Sequence, residues 1–134
     1  MSEKDQSDAE RREHGLRVRR EVLGDAHVDR SIARTTPFDA PFQDLITRYA
    51  WGDVWSRPGL DRRMRSAITI AALVSMRADG EIALHIRAGL RNGLTPAEIS
   101  EILVHVAAYA GIPAANAAFA IARDVLTEEG LLEG

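Results

Sequence analysis

The chain has 134 residues, 46% of them hydrophobic and 28% charged, with a formal net charge of −3 at neutral pH. This is the length and composition of one ordinary globular domain with a real core, and the acidic balance gives no electrostatic footprint for nucleic acid. Cysteine is absent, which excludes disulfides, thiol catalysis and cysteine metal sites and permits a reducing cytoplasm, and no apolar run approaches the ~18 residues of a membrane span.

Residues 1–8 are polar, lack the apolar segment of a secretory signal and read as a loose tail. Ala9 to Leu23 has a helical but heavily charged pattern, with Leu16, Val18, Val22 and Leu23 as its apolar side and Gly24 as its stop. Asp25 caps a short helix to about Thr35, with Val28, Ile32 and Ala33 inward, and Thr35-Thr36-Pro37 breaks the chain. The next stretch is dense in aromatics: Phe38, Phe42, Tyr49, Trp51 and Trp55. Asp39 and Pro41 open a helix there, Phe42, Leu45, Ile46 and Tyr49 follow its period, Gly52 weakens it, and Arg57-Pro58-Gly59 is a turn. Most of these aromatics are expected in the core.

Asp61 caps a helix reaching about Ala78. It is small or apolar almost all round (Ala67, Ile68, Ala71, Ala72, Val74, Ser75), so it is expected to be central and buried on more than one side. Gly80 to Gly93 is one helix with a glycine at each end, and Asn92-Gly93 carries a left-handed cap signal. Thr95-Pro96-Ala97-Glu98 is a capping box with proline at the first helical position, followed by the stripe Ile99, Ile102, Leu103, Val106 and Ala110. Gly111-Ile112-Pro113 interrupts it. An alanine-rich helix with Phe119, Ile121, Val125 and Leu126 runs to about Thr127, and residues 128–134 form a frayed end. No period-two strand pattern occurs. The expected class is all-α, six or seven helices in one domain over residues 9–127.

Glu81 and His85 stand four residues apart, so both fall on one helix face, beside the apolar Ile82 and Ile86. A carboxylate beside an imidazole is an acid/base unit. By spacing alone, the pair reads first as a surface ion pair worth a few tenths of a kcal/mol. His105, with Glu101 four residues back and Tyr109 four on, reads first as a partly buried histidine bonded to a neighbour, and His14 and His27 as solvated. Arg57, Arg62, Arg63 and Arg65 cluster at the start of the central helix, with Arg48 upstream. Most are surface charge, but a guanidinium is the natural clamp for a carboxylate, and one or two beside Trp51 and Trp55 would suit a small acidic molecule. No phosphate loop, nucleophile elbow or histidine pair at metal-ligand spacing is present.

Several blocks give the chain a family likeness. They are Val-Leu-Gly-Asp-Ala-His-Val-Asp (22–29), Phe-Gln-Asp-Leu-Ile-Thr-Arg-Tyr-Ala-Trp-Gly (42–52), Arg-Pro-Gly-Leu-Asp-Arg-Arg (57–63), Glu-Ile-Ala-Leu-His-Ile-Arg-Ala (81–88), Asn-Gly-Leu-Thr (92–95) and Gly-Ile-Pro-Ala-Ala-Asn (111–116). From about Gly15 to Leu126 the sequence resembles the carboxymuconolactone decarboxylase family. The resemblance implies an all-α fold like that of alkyl hydroperoxidase D, assembled as a trimer or hexamer. In the hydroperoxidase relatives a Cys-x-x-Cys-x-x-x-His motif occupies the 80–93 helix. Here its cysteine positions fall on Ala78 and Glu81 and its histidine on His85, so thiol chemistry is lost and acid/base chemistry remains. The sequence departs from the family pattern at His105, where glutamine is frequent, at Ala110, where cysteine is common, and at Ala120, where histidine is usual.

The resemblance further implies cofactor-free loss of CO2 from a dicarboxylate butenolide in protocatechuate catabolism (the beta-ketoadipate pathway), giving 3-oxoadipate enol-lactone. His85 would deliver the proton and Glu81 would orient it. Arg63 first, then Arg48 or Arg57, would bind carboxylate, Trp51 would wall the pocket, and His105 would help shape it. No metal, nucleic acid or membrane partner is expected, and the expected location is the cytoplasm. The departures leave two alternatives: the same pair acting on another unsaturated lactone or oxo acid, or an oligomeric binding protein without catalysis.

Overall fold

The computed structural model describes residues 7–132. Residues 1–6 and 133–134, the larger part of the expected N-terminal tail and the last two residues of the C-terminal one, lie outside them. Every regular element among the described residues is helical, as the all-α reading expects. They divide between Leu60 and Asp61 into two compact units.

In the first unit α1 (Asp8–Leu23) starts one residue earlier than expected, because the Ser7 hydroxyl accepts the Glu10 N–H at 3.1 Å and caps it. Gly24, at φ 91°, ends α1 and leads directly into α2 (Asp25–Arg34). Only Val28 of α2 is buried; Ile32 and Ala33, expected inward, are exposed, because the short helix packs mainly against α1. α3 (Ala40–Ile46) has Pro41 in its first turn. It then continues as a nine-residue π-helical segment, Thr47–Trp55, where an ordinary helix was expected. The reason for a close fit there is visible. α1 crosses this segment glycine to glycine, and a side chain on Gly15 would stand 2.0 Å from the Thr47 carbonyl oxygen and 3.0 Å from the Gly52 nitrogen.

The aromatic stretch corrects the expectation of burial. Only Trp51 is buried, at 6% exposure, with Trp55 stacked on it at 5.3 Å. Phe38 is 94% exposed, and Phe42 and Tyr49 are also outside. A helical period shows which side chains share a face, but not whether this chain covers that face.

In the second unit α4 (Arg62–Ser75) is capped by the Asp61 carboxylate, which accepts the Met64 N–H at 2.8 Å. It is buried on one stripe, Ser66, Ile70 and Val74, rather than on several sides; Ile68 is 51% exposed, and Ala72 and Ser75 are open. α4 ends before the expected Ala78, and Arg77 takes a positive φ of 57° in the turn. α5 (Asp79–Arg91) follows, ending at Asn92 and the left-handed Gly93. α6 (Pro96–Ala110) has the full capping box: Thr95 Oγ1 accepts the Glu98 N–H at 3.1 Å, and Glu98 accepts the Thr95 N–H at 3.0 Å. Such a cap contributes about 1 kcal/mol. α7 (Ile112–Glu128) begins after Gly111, with Pro113 in its first turn.

The core of this unit joins Ile70 and Val74 of α4, Ile82 and Ile86 of α5, Ile99, Leu103 and Val106 of α6, and Ala114, Ala118, Ala122 and Val125 of α7. The alanines at four-residue spacing let α7 approach closely enough to bury those isoleucines.

Candidate functional site

α5 carries both Glu81 and His85. Asp79 and Glu81 occupy its first turn, where the positive end of the helix dipole favours negative charge. Glu81 is exposed and His85, one turn later, is half-buried. Its neighbours Ile82 and Ile86 are completely inside, so the helix turns from solvent into core across this pair. The Nδ1 atom of His85 is sealed from solvent.

The C-terminal half of α5 holds that histidine rigidly. Gly89 lies where a side chain would meet Leu94 Cδ1 at 2.9 Å and Ile70 Cδ1 at 3.3 Å, so α5 sits tightly against α4 there. Asn92 Nδ2 then donates to Ser66 Oγ at 3.0 Å, and Ser66 is fully buried. Two independent ties thus fix α5 to α4 beyond His85.

The other residues singled out by sequence fall as follows. Arg63, in the first turn of α4, makes an ion pair with Glu98. Glu98 was read only as a helix cap, yet one oxygen caps Thr95 and the other holds Arg63. His105 is exposed on α6, its ring 5.3 Å from that of Tyr109. With Glu101, Ala67, Ile68 and Ala71 it walls an apolar α4–α6 cleft of about 350 Å³, whose lining includes neither Glu81 nor His85. In the first unit, Arg48 pairs loosely with Asp8 at 3.9 Å, Arg57 is exposed, and Trp51 forms the buried half of the tryptophan stack. His14 and His27 are half-buried rather than solvated.

One residue escaped the sequence reading. Arg19 is 8% exposed, although its helix was read as charged on the outside. Its signal was present: Gly15, Val18, Arg19 and Val22 form one helical stripe, and all four are buried.

Residues 40–124 match the model of the carboxymuconolactone decarboxylase family. The chain is 46% identical to the 4-carboxymuconolactone decarboxylase of Acinetobacter baylyi, over 93% of each chain. It is 40% identical to the nitrosuccinic acid decarboxylase of Metarhizium robertsii, over 87% of this chain and 81% of that one. A 4-carboxymuconolactone decarboxylase sequence from Pseudomonas putida is 51% identical over its whole length, which covers 40% of this chain.

Proposed function

Because the chain belongs to the carboxymuconolactone decarboxylase family, we propose that it is a carboxy-lyase converting 4-carboxymuconolactone to 3-oxoadipate enol-lactone and CO2, in protocatechuate catabolism. The observation that carries this reading is the 46% identity to a decarboxylase of that substrate over 93% of both chains. The family match spans residues 40–124 and the Acinetobacter relative aligns over 93% of the chain; on that support we read residues 9–127 as one domain of the family. Lack of cysteine suits the cytoplasm as its location.

The chemistry follows from the substrate. Its ring carboxylate sits on the carbon next to the ring oxygen. When that C–C bond breaks, the electron pair moves through the ring double bond onto the lactone carbonyl, giving a dienolate and CO2. The lactone is its own electron sink. The protein then has to hold the acetate arm, stabilise the oxyanion and protonate the carbon alpha to the carbonyl. We assign the protonation to His85 through Nε2, because Nδ1 is sealed from solvent, with Glu81, one turn earlier on the same helix, as the residue that orients the ring. Arg63 is the first candidate for carboxylate. Glu98 occupies part of its fork and orients it, and a guanidinium has five N–H donors to share. Arg48, Arg57, Trp51 and His105 are further candidates for contact with the substrate, each to be checked by its own alanine variant.

The experiment is direct. Purified protein with 4-carboxymuconolactone and no additive should release one CO2 for each lactone consumed. Arg63→Ala is expected to raise KM by roughly tenfold or more, the loss of one charge-assisted contact; an unchanged KM removes Arg63 from the binding set. A second reading, decarboxylation of another acid, is favoured by the relative acting on nitrosuccinic acid. A nitro group is likewise an internal electron sink, so the same proton donor would serve.

We infer also that the chain works as a homo-oligomer, a trimer or hexamer. The support is its uncovered apolar surface, including Phe38, Phe42, Tyr49, Ile68, Tyr109 and Ile112. Light scattering that returned the mass of a single 14.7 kDa chain would remove this reading.

A further inference from the structure

A second anion site is built into the first unit. Arg19 projects from the buried stripe of α1 and is 8% exposed. Its guanidinium donates to Gln43 Oε1 at 3.3 Å and Ser31 Oγ at 3.2 Å, both neutral acceptors. Its Nε is buried with no hydrogen-bond acceptor among the described residues. No carboxylate pairs with it there, whereas its neighbours Arg11, Arg12, Arg17 and Arg20 each have an acidic partner. Burial accordingly pulls its pKa down from the ordinary arginine value.

An uncompensated buried cation is costly, which makes its retention informative. Arg19 lines a cavity of about 370 Å³ together with Arg12, Leu16, Ile32, Thr35, Ala40, Gln43, Asp44 and Thr47. The charged groups in that lining are Arg12, Arg19 and Asp44; Arg12 and Asp44 face each other at 3.6 Å. Two positive charges and one negative leave a single positive excess, and it is Arg19 that is unmatched. Leu16, Ile32 and Ala40 supply an apolar wall, and Thr35 and Thr47 lie in it as polar groups.

We propose that this cavity binds a small organic monoanion, a carboxylate with a short apolar body, whose head pairs with the Arg19 guanidinium while its body lies along Leu16 and Ile32. The volume suits a molecule of modest size better than a bare ion, and the single excess charge suits one carboxylate rather than two. None of the residues assigned to decarboxylation lines this cavity, so binding here is read independently of turnover.

The test uses the full-length protein and the series acetate, butyrate and benzoate, with inorganic phosphate as a bare-anion comparison. Calorimetry and ligand-dependent thermal shift are the readouts. Butyrate or benzoate is expected to bind more tightly than acetate or phosphate and to raise the melting temperature. Arg19→Met is expected to fold, because an apolar residue of similar length replaces a costly buried charge, and to weaken binding roughly tenfold or more. Ile32→Trp keeps Arg19 and fills the cavity from its exposed rim, and it should abolish the shift. If no carboxylate binds, or if both variants bind benzoate as the native chain does, the proposal is overturned. It is equally overturned if Arg19→Met changes only the oligomeric mass, since the anion would then be a carboxylate of another copy.

Discussion

Replacing His85 with glutamine is expected to lower kcat by about a hundredfold to ten-thousandfold, the usual contribution of a positioned proton donor or acceptor. KM should change little, because the step lost is proton delivery rather than binding. The substitution is mild for the fold. His85 is half-buried, its apolar neighbours Ile82 and Ile86 stay in place, and α5 remains tied to α4 through Gly89 and Asn92–Ser66. Helix content measured by circular dichroism should therefore match the native chain. Near-normal turnover with that signal intact would remove His85 from catalysis and leave the Glu81–His85 spacing as a surface motif.

The second large effect is structural. Gly15→Ala is expected to destabilise the protein by roughly 3 kcal/mol or more, at the upper end for an overpacking substitution. The added methyl would stand 2.0 Å from the Thr47 carbonyl oxygen and 3.0 Å from the Gly52 nitrogen. Both are backbone atoms and cannot rotate away, so α1 and the π-helical segment must separate. The chain's two tryptophans, Trp51 and Trp55, both lie in that segment, so their fluorescence during urea unfolding reports on this crossing. The midpoint should fall by about 1 M or more for a slope of about 1–3 kcal/mol/M. Gly80→Ala is the control: nothing lies within 4 Å of the added methyl, and no loss is expected. Equal midpoints for the Gly15 variant and the native chain would show that the crossing is looser than described.

These two experiments also mark where sequence reading succeeds and where it stops. Local backbone chemistry was legible. Thr95 to Glu98 reads as a capping box and forms one, and the stops at Gly24, Gly93 and Gly111 each carry a positive φ, the conformation that glycine alone adopts without strain. The placement of Glu81 and His85 on one helix was legible as well, since a spacing of four fixes two side chains to one helical face. The π winding after Ile46 was not. It packs against a neighbour, the bare Gly15, that lies 32 positions before Thr47, and such a distant contact leaves no local signal.

Burial was legible only in part, for a related reason. Periodicity placed Phe42 and Tyr49 on an apolar face and Ile68 on a helix thought to be enclosed, yet all three are exposed, because coverage depends on which elements pack there. Arg19 is the converse case. Its charge suggested solvent, while its position between Val18 and Val22 placed it inside. The Arg63–Glu98 pair was hidden because the two residues belong to different helices, and a cap signal had already explained Glu98.

The decisive measurement is kcat/KM for CO2 release from 4-carboxymuconolactone and from nitrosuccinic acid, by the same preparation of the native chain and of His85→Gln. We expect the native chain to prefer the lactone and the variant to lose activity on it. Release of CO2 from neither acid, or a preference for nitrosuccinic acid, would contradict the assignment of the lactone as substrate.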